Sequence, residues 1–303
     1  STGPGAVVTR CAVVAHRLVL TFADSWHNNL PQYARSLVSS ALSGLPKSWL
    51  LPLLDLVELW SFRATARFYK IPRVLFAPNE EMVRLLETAT DKPCFLMSHS
   101  VDTASFRPEF RDRQGGVFTV GYVGRLTVEK NVRWVARLEQ ALLAMGHREF
   151  RIVVVGQGAE QRWLRENMRQ AEFTGLLTGK DLSRAFANLD VLAFPSETDT
   201  FGLVVLEALA SGVPAVVTSR GGPKYTVQAG KTGYVTNNFD EFVASVALLL
   251  TRPDLLASMR IAARQYALST SWEPIFESMY KAYEPHLQVG DMGCRGFLDV
   301  AKT

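Results

Sequence analysis

The sequence predicts an α/β protein whose second half is a doubly wound parallel sheet. Two observations predict it. From Val117 onward, short apolar runs bounded by glycine or proline recur along the chain, the pattern of strands buried on both faces. Helical segments of about ten residues or more alternate with these runs, as crossover connections between parallel strands require.

The strand candidates of this half are Val117 to Val123, Arg151 to Val155, Asp190 to Phe194 and Pro214 to Thr218, with shorter ones near Glu172 to Thr174 and Gly233 to Val235. Between them fall helix candidates at Asn131 to Met145, Glu160 to Arg169, Lys180 to Asn188, Gly202 to Ser211 and Phe239 to Leu250. The first 115 residues are less regular. Leu18 to Phe22, Arg73 to Ala77 and Phe95 to Met97 read as strands, and Asn29 to Leu42 and Trp49 to Tyr69 as helices. The polar, proline-bearing run Arg107 to Gly116 reads as a linker. The expected organisation is therefore 1–115, 116–285, and a tail 286–303 that packs back on the first domain.

At 303 residues and 48% apolar composition, the chain can bury two cores of ordinary size. A net charge of +4 with 20% charged residues is only mildly basic, which does not suggest nucleic acid as the partner. Cys11, Cys94 and Cys294 are odd in number and far apart, so neither a disulfide framework nor a cysteine metal site is indicated, and a cytoplasmic setting is expected. No run of 18 apolar residues and no secretory signal is present. The chain opens on Ser1 with no strand before Gly3-Pro4-Gly5, and it reads as a piece of a longer protein.

The stretch TDTFGLVVLEALASG, Thr198 to Gly212, sets Asp199 and Glu207 eight positions apart. Phe201, Val204, Val205, Ala208 and Leu209 recur at helical spacing, with Gly212 and Pro214 as stop signals. Asp199 then lies in the loop before a helix and Glu207 about two turns inside, roughly 10 Å apart at about 1.5 Å of rise per residue. Between them stand the free amides of the first helical turn and the positive end of the helix dipole, an anion site. Carboxylate, phosphate site, carboxylate is the shape of a sugar nucleotide, since acids accept hydrogen bonds from sugar hydroxyls. The plain reading of such a pair alone is a surface Asp and a Glu at a helix edge.

GYVGRLTVEKN, Gly121 to Asn131, places Gly124, Arg125 and Lys130 in the loop after the first strand of this half. Glycine lets the backbone approach a ligand, and the two cations can neutralise a diphosphate. Gly156-Gln157-Gly158 after the next strand is a weaker pair of the same kind. A full G-x-G-x-x-G is absent, which disfavours a nicotinamide enzyme.

VGRLTVEKN, VVGQGAEQRWL, FTGLLTGKDL, AFPSETDTFGLVVLEALASGVPAVV and GKTGYV, in that order and spacing, strongly resemble the retaining GT-B glycosyltransferases of family 4, the glycogen synthase and mannosyltransferase type. The resemblance covers Val117 to Tyr283. It extends more thinly to HNNLPQYA, His27 to Ala34, which is similar to the family's H-T-x-x-P-x-Y loop, and to VDTASFRP, Val101 to Pro108, where Asp102 reads as a turn residue. The fold it implies is GT-B: two Rossmann-like domains facing a cleft, the first one incomplete because relatives begin with a strand and a glycine-rich loop not seen here.

By this resemblance Gly124, Arg125, Lys130 and Gly156 would surround the donor diphosphate, joined by amides of Phe201, Gly202, Leu203 and Val204. Glu207 would take the ribose hydroxyls and Asp199 the transferred sugar, with Asp199 standing where relatives carry Glu. Thr174 to Leu182, with Leu176 and Leu182, would line the base, and His27 would lie across the cleft near the anomeric carbon. His27, Asp199, Arg125 and Lys130 are thus the catalytic candidates. Ser98-His99-Ser100 departs from the glycine and arginine of relatives.

The implied reaction moves a hexose, mannose or glucose, from a GDP or UDP sugar to a glycolipid or glycan acceptor with retention, needing no cofactor and no metal. Three rivals stand beside it. A glycosidase also pairs acids, but without a phosphate site between them. A sugar-nucleotide epimerase shares the architecture, and a nucleotide-sugar-binding fragment would bind without transfer. Residues 35–73 carry Arg35, Lys47, Arg63, Arg67, Lys70 and Arg73 against Asp55 and Glu58, with Trp49, Trp60 and Phe62 among them. Such a segment is either a domain helix with a solvated face or a peripheral contact with an anionic membrane.

Overall fold

The structure is a computed structural model that describes residues 22–27, 29–42, 46–113 and 116–286, with isolated positions nearer the N-terminus. Residues 18–21 of the first expected strand, 287–303 of the expected tail, and Cys11 and Cys294 lie outside the described residues. The chain divides into two compact units, one made of residues up to Ser98 together with those from Trp272 onward, the other of His99–Ser271.

Among its described residues the first unit holds a three-stranded parallel sheet, β1 (Ala23–Ser25), β2 (Val74–Ala77) and β3 (Cys94–Leu96), in that spatial order. Helices α1 (Leu30–Ala41), α2 (Lys47–Tyr69) and α3 (Glu80–Thr90) connect the strands. Two helices start on asparagine: the Asn29 side chain accepts from the Gln32 amide, and the Asn79 side chain from the Met82 amide at 2.9 Å, each satisfying an orphan donor. Glu80 and Glu81 follow in the first turn of α3, where negative charge meets the positive end of the helix. Trp26, Phe68, Tyr69, Leu75, Ala77, Leu86 and Cys94 form the core. Of the strand expected at Leu18 to Phe22 only Phe22 is among the described residues; β1 follows it, with Ala23 paired to Val74. This unit also contains α10 (Trp272–Tyr283).

The second unit is a six-stranded parallel sheet with the order β6-β5-β4-β7-β8-β9. Its strands are β4 (Phe118–Val123), β5 (Phe150–Val155), β6 (Ala171–Gly175), β7 (Val191–Phe194), β8 (Ala215–Thr218) and β9 (Gly233–Thr236). The helices are α4 (Arg133–Ala144), α5 (Gln161–Asn167), α6 (Gly179–Ala187), α7 (Leu203–Ala210), α8 (Phe239–Thr251) and α9 (Pro253–Ser269). Relative to the chain, the strand order is the doubly wound one, and it reverses between β4 and β7. Ligands of such sheets bind beyond the strand ends at that reversal. β7 and β8 are buried throughout, as strands covered on both faces must be.

The run Arg107 to Gly116 is not a linker. Arg111 and Arg113 both pair with Asp190, and Arg111 Nη1 also donates to the carbonyl of Leu189 at 2.9 Å. Arg264 Nη1 reaches the carbonyls of Phe106 at 2.8 Å and Ala210 at 2.7 Å. These bonds fasten residues 103–113 to the second unit, so the division falls at Ser98 rather than at 115, and at Ser271 rather than at 285. Asp102 is the expected turn residue: its carboxylate accepts from the amides of Ala104 and Ser105 and from the Ser105 hydroxyl at 2.6 Å. Those bonds hold its carboxyl below the ordinary carboxylate range.

Candidate functional site

Three loops meet at the reversal point of the second sheet. The loop after β4 begins at Gly124, whose φ of 151° is open to glycine, and is tied to its neighbour by the Gly124 amide on the Val155 carbonyl at 3.0 Å. The loop after β5 turns at Gly156, φ 132°, so close that a Cβ there would stand 2.0 Å from the Gly124 oxygen. Two glycines at this crossing are therefore required by the close approach of backbones. Tyr122 closes the β4 loop from beneath, its buried hydroxyl donating to the Arg125 carbonyl at 2.8 Å. Burial, with the charges of Asp199 and Glu129 nearby, pushes that phenol up, so it remains a donor.

The β4 loop then makes a short 3₁₀ turn, Val128–Lys130, and leaves it through Asn131 in the left-handed region at φ 50°. This turn aims Lys130 inward: the residue is 8% exposed, and its Nζ lies 2.7 Å from Asp199 Oδ1 in the loop after β7. Asn131 Nδ2 donates to the Pro195 carbonyl, and the Thr198 hydroxyl to the Glu129 carbonyl, so the two loops are stitched side by side. The second oxygen of Asp199, Oδ2, is buried and has no hydrogen bond. Arg125 is different: its side chain is 60% exposed, 3.9 Å from Glu129, and is free to swing onto a ligand.

Past Asp199 the chain turns at Gly202, φ 88°, into α7, whose first turn carries no side-chain cap. Those amides form an uncapped helix N-terminus facing the same loops. The sequence of α7, LVVLEALA, is apolar but for Glu207. Glu207 is half-buried, forms no ion pair or side-chain hydrogen bond among the described residues, and is raised by burial from 4.5 to about 7. A carboxyl that is desolvated without a partner suits a site whose partner arrives with a ligand.

The remaining sequence candidates are placed as follows. Phe201 is buried, Leu203 is exposed, and Val204 is partly buried against the core. Leu176 is 68% exposed in the segment after β6, whereas Leu182 is half-buried, packing partly on the hydrophobic core. His27 belongs to the first unit, where its Nε2 shares a hydrogen bond of 2.7 Å with the Ser25 hydroxyl. Burial lowers its pKa, keeping the ring neutral near pH 7. It lines a pocket of about 350 Å³ with Ala23, Asp24, Ser25, Phe76 and Met97, closed by Met279, Tyr280 and Tyr283 of α10.

Two contributors escape the sequence reading. Gly221 and Gly222, after β8, support the Asp199 loop: the Gly222 amide donates to the Asp199 carbonyl, and a Cβ at Gly222 would stand 1.9 Å from the Thr200 oxygen. The signal was present as a Gly-Gly-Pro turn three residues after the apolar run Ala215 to Val217. His99 stacks on Phe201 with ring centroids 4.6 Å apart, at the Ser98-His99-Ser100 departure. Among the described residues no group of three or more His, Cys, Asp or Glu is placed to hold a metal ion.

Comparison with known proteins meets this geometry at the same residues. Residues 117–252 match the family model described as glycosyl transferases group 1. A GDP-mannose-dependent alpha-mannosyltransferase of Corynebacterium glutamicum is 30% identical over 217 residues, covering 68% of this chain and 51% of that protein. The sulfoquinovosyl transferase SQD2 of Arabidopsis thaliana is 28% identical over 292 residues, covering 90% of this chain and 53% of that protein. The chain thus spans about half the length of the curated relatives it matches. Among solved structures, a sucrose-phosphate synthase of Thermosynechococcus elongatus superposes with a TM-score of 0.70 at 18% identity, covering 91% of this chain and 71% of that one. The fold is that of the GT-B glycosyltransferases.

Proposed function

We propose, from the glycosyl transferases group 1 domain that residues 117–252 form, that the protein transfers a hexose from a nucleotide-diphosphate sugar to a glycolipid or glycan acceptor with retention at the anomeric carbon. The observation that carries this reading is the meeting of Lys130 and Asp199 at the reversal point of the sheet, 2.7 Å apart and beside the uncapped start of α7. A buried ammonium held by one carboxylate is a diphosphate site at rest. When a donor arrives, Lys130, Arg125 and the α7 amides face its phosphates, Asp199 turns its second oxygen to the hexose, and Glu207 accepts from the ribose hydroxyls.

The chemistry follows from charge. As the glycosidic bond breaks, negative charge grows on the leaving diphosphate, and preorganised cations and amides stabilise it more than they stabilise the bound donor. The leaving phosphate takes the proton of the incoming hydroxyl on the same face, so the protein supplies positioning and charge rather than a nucleophile. His27 and its pocket in the first unit are assigned to the acceptor side. Mannose from GDP is the favoured donor, because the mannosyltransferase of C. glutamicum is named for that donor and is 30% identical.

The test is a donor screen. GDP-mannose, UDP-glucose and their partners are incubated with the protein, with and without glycolipid acceptors, and released nucleoside diphosphate is measured. Release that depends on acceptor supports transfer; a changed sugar without acceptor supports an epimerase. Diphosphate binding with no turnover at all supports a binding module.

A further inference from the structure

The first unit carries a surface that the donor chemistry does not use. On α2, Trp49, Leu53, Leu56, Trp60, Arg63 and Arg67 follow one another at intervals of four and three residues, so at about 100° per residue they lie within about 40° of one line along the helix. All six are exposed, Trp49 at 78% and Trp60 at 60%. The face opposite is the one that packs inward, through Leu54, Thr65, Phe68 and Tyr69. Large apolar side chains in an unbroken exposed row, two of them tryptophan, are not the mark of a solvated helix face.

Charge says what covers the row. The arginines stand at its C-terminal end, with Arg63 over the Trp60 ring at 5.9 Å. The acids of α2 are turned away and neutralised: Arg35 of α1 binds Asp55 Oδ1 at 2.6 Å and Glu58 Oε2 at 2.8 Å. What remains outward is aromatic, aliphatic and cationic, complementary to an anionic lipid headgroup layer above acyl chains. The row is about 27 Å long, and among the described residues no single helix is long and apolar enough to cross a membrane, so the contact lies in the plane of the surface.

We propose that this stripe of α2 docks the protein on an anionic bilayer. It deepens the acceptor side of the proposed function, since a glycolipid acceptor resides in such a surface, yet its readout is vesicle binding and not transfer.

The test is flotation of the 303-residue chain with vesicles of phosphatidylglycerol and phosphatidylcholine, and with phosphatidylcholine alone, at low and high salt. The wild type should float with the anionic vesicles at low salt only. Arg63→Gln with Arg67→Gln should weaken partitioning by about fivefold per arginine, about thirtyfold together, and Trp49→Gln with Trp60→Gln should abolish it. All four positions are exposed, and unchanged melting temperatures confirm intact folding. Absent flotation, equal flotation on neutral vesicles, or a concentration-dependent dimer lost in the tryptophan variant in place of vesicle binding would each overturn the proposal. Nucleoside diphosphate binding, measured on the same variants, should be unchanged. Its absence from all proteins would count against the donor reading and leave the flotation result standing.

Discussion

Replacing Glu207 with glutamine should make the protein more stable and a poorer nucleotide binder. Burial among the apolar residues of α7 raises this carboxyl from 4.5 to about 7 with no partner to compensate. Between those two values the native state holds a proton that the unfolded chain has released. Native stability therefore falls as pH rises through the window, and the loss is complete above about 7. At about 1.4 kcal/mol per pKa unit, the destabilisation is about 3 kcal/mol at pH 8.5 and nil below pH 4.5. Glu207→Gln removes the charge and keeps the shape. Urea midpoints of wild type and variant, followed by fluorescence from pH 4.5 to 8.5, should coincide at the acid end and separate steadily toward the alkaline end. The same carboxylate is the acceptor assigned to the ribose hydroxyls, so wild-type affinity for a nucleoside diphosphate should rise with pH through about 7 and that rise should be missing in the variant. Parallel midpoints at all pH values would refute the reasoning, because they would mean that Glu207 is solvated or paired.

Other perturbations follow from the same geometry. Lys130→Ala should lower turnover by about 10²- to 10³-fold, as loss of a preorganised charge does, while exposed Arg125→Ala should cost less; initial rates of donor consumption check both, and near-normal rates in both would remove them from the phosphate site. Asp190→Ala leaves Arg111, Arg113 and Arg260 without their shared carboxylate and the Thr119 amide without its acceptor, and should cost about 3 to 5 kcal/mol in chemical denaturation. Gly156→Ala forces a Cβ to within 2.0 Å of the Gly124 oxygen at a φ that side chains avoid, and should lower stability by more than about 2 kcal/mol and weaken nucleotide binding, read by calorimetry.

The second unit was legible because parallel strands buried on both faces write themselves as unbroken apolar runs: VLAF of β7 and AVVT of β8 leave no other reading. Asp199 and Glu207 were legible as a pair because a helix and its leading loop impose their spacing. What was not legible depends on partners far along the chain. Arg107 to Gly116 has the composition of a linker, and only the pairing of Arg111 and Arg113 with Asp190, more than 70 residues away, makes it part of a domain. The direct contact of Lys130 with Asp199, 69 residues apart, needed the strand order, which places β4 beside β7. β1 was not legible because Ala-Asp-Ser carries no apolar pattern; its pairing with β2 defines it. Leu182, placed beside the base by resemblance, is half-buried and packs partly against the core.

The most direct measurement is calorimetric titration of the protein with GDP and UDP, set against Lys130→Ala under the same conditions. One diphosphate should bind per chain, with affinity reduced tenfold or more when the lysine that now holds Asp199 is removed. Equal affinity in wild type and variant, or no binding of either nucleotide, would contradict the assignment of the Lys130 and Asp199 pair as the donor site.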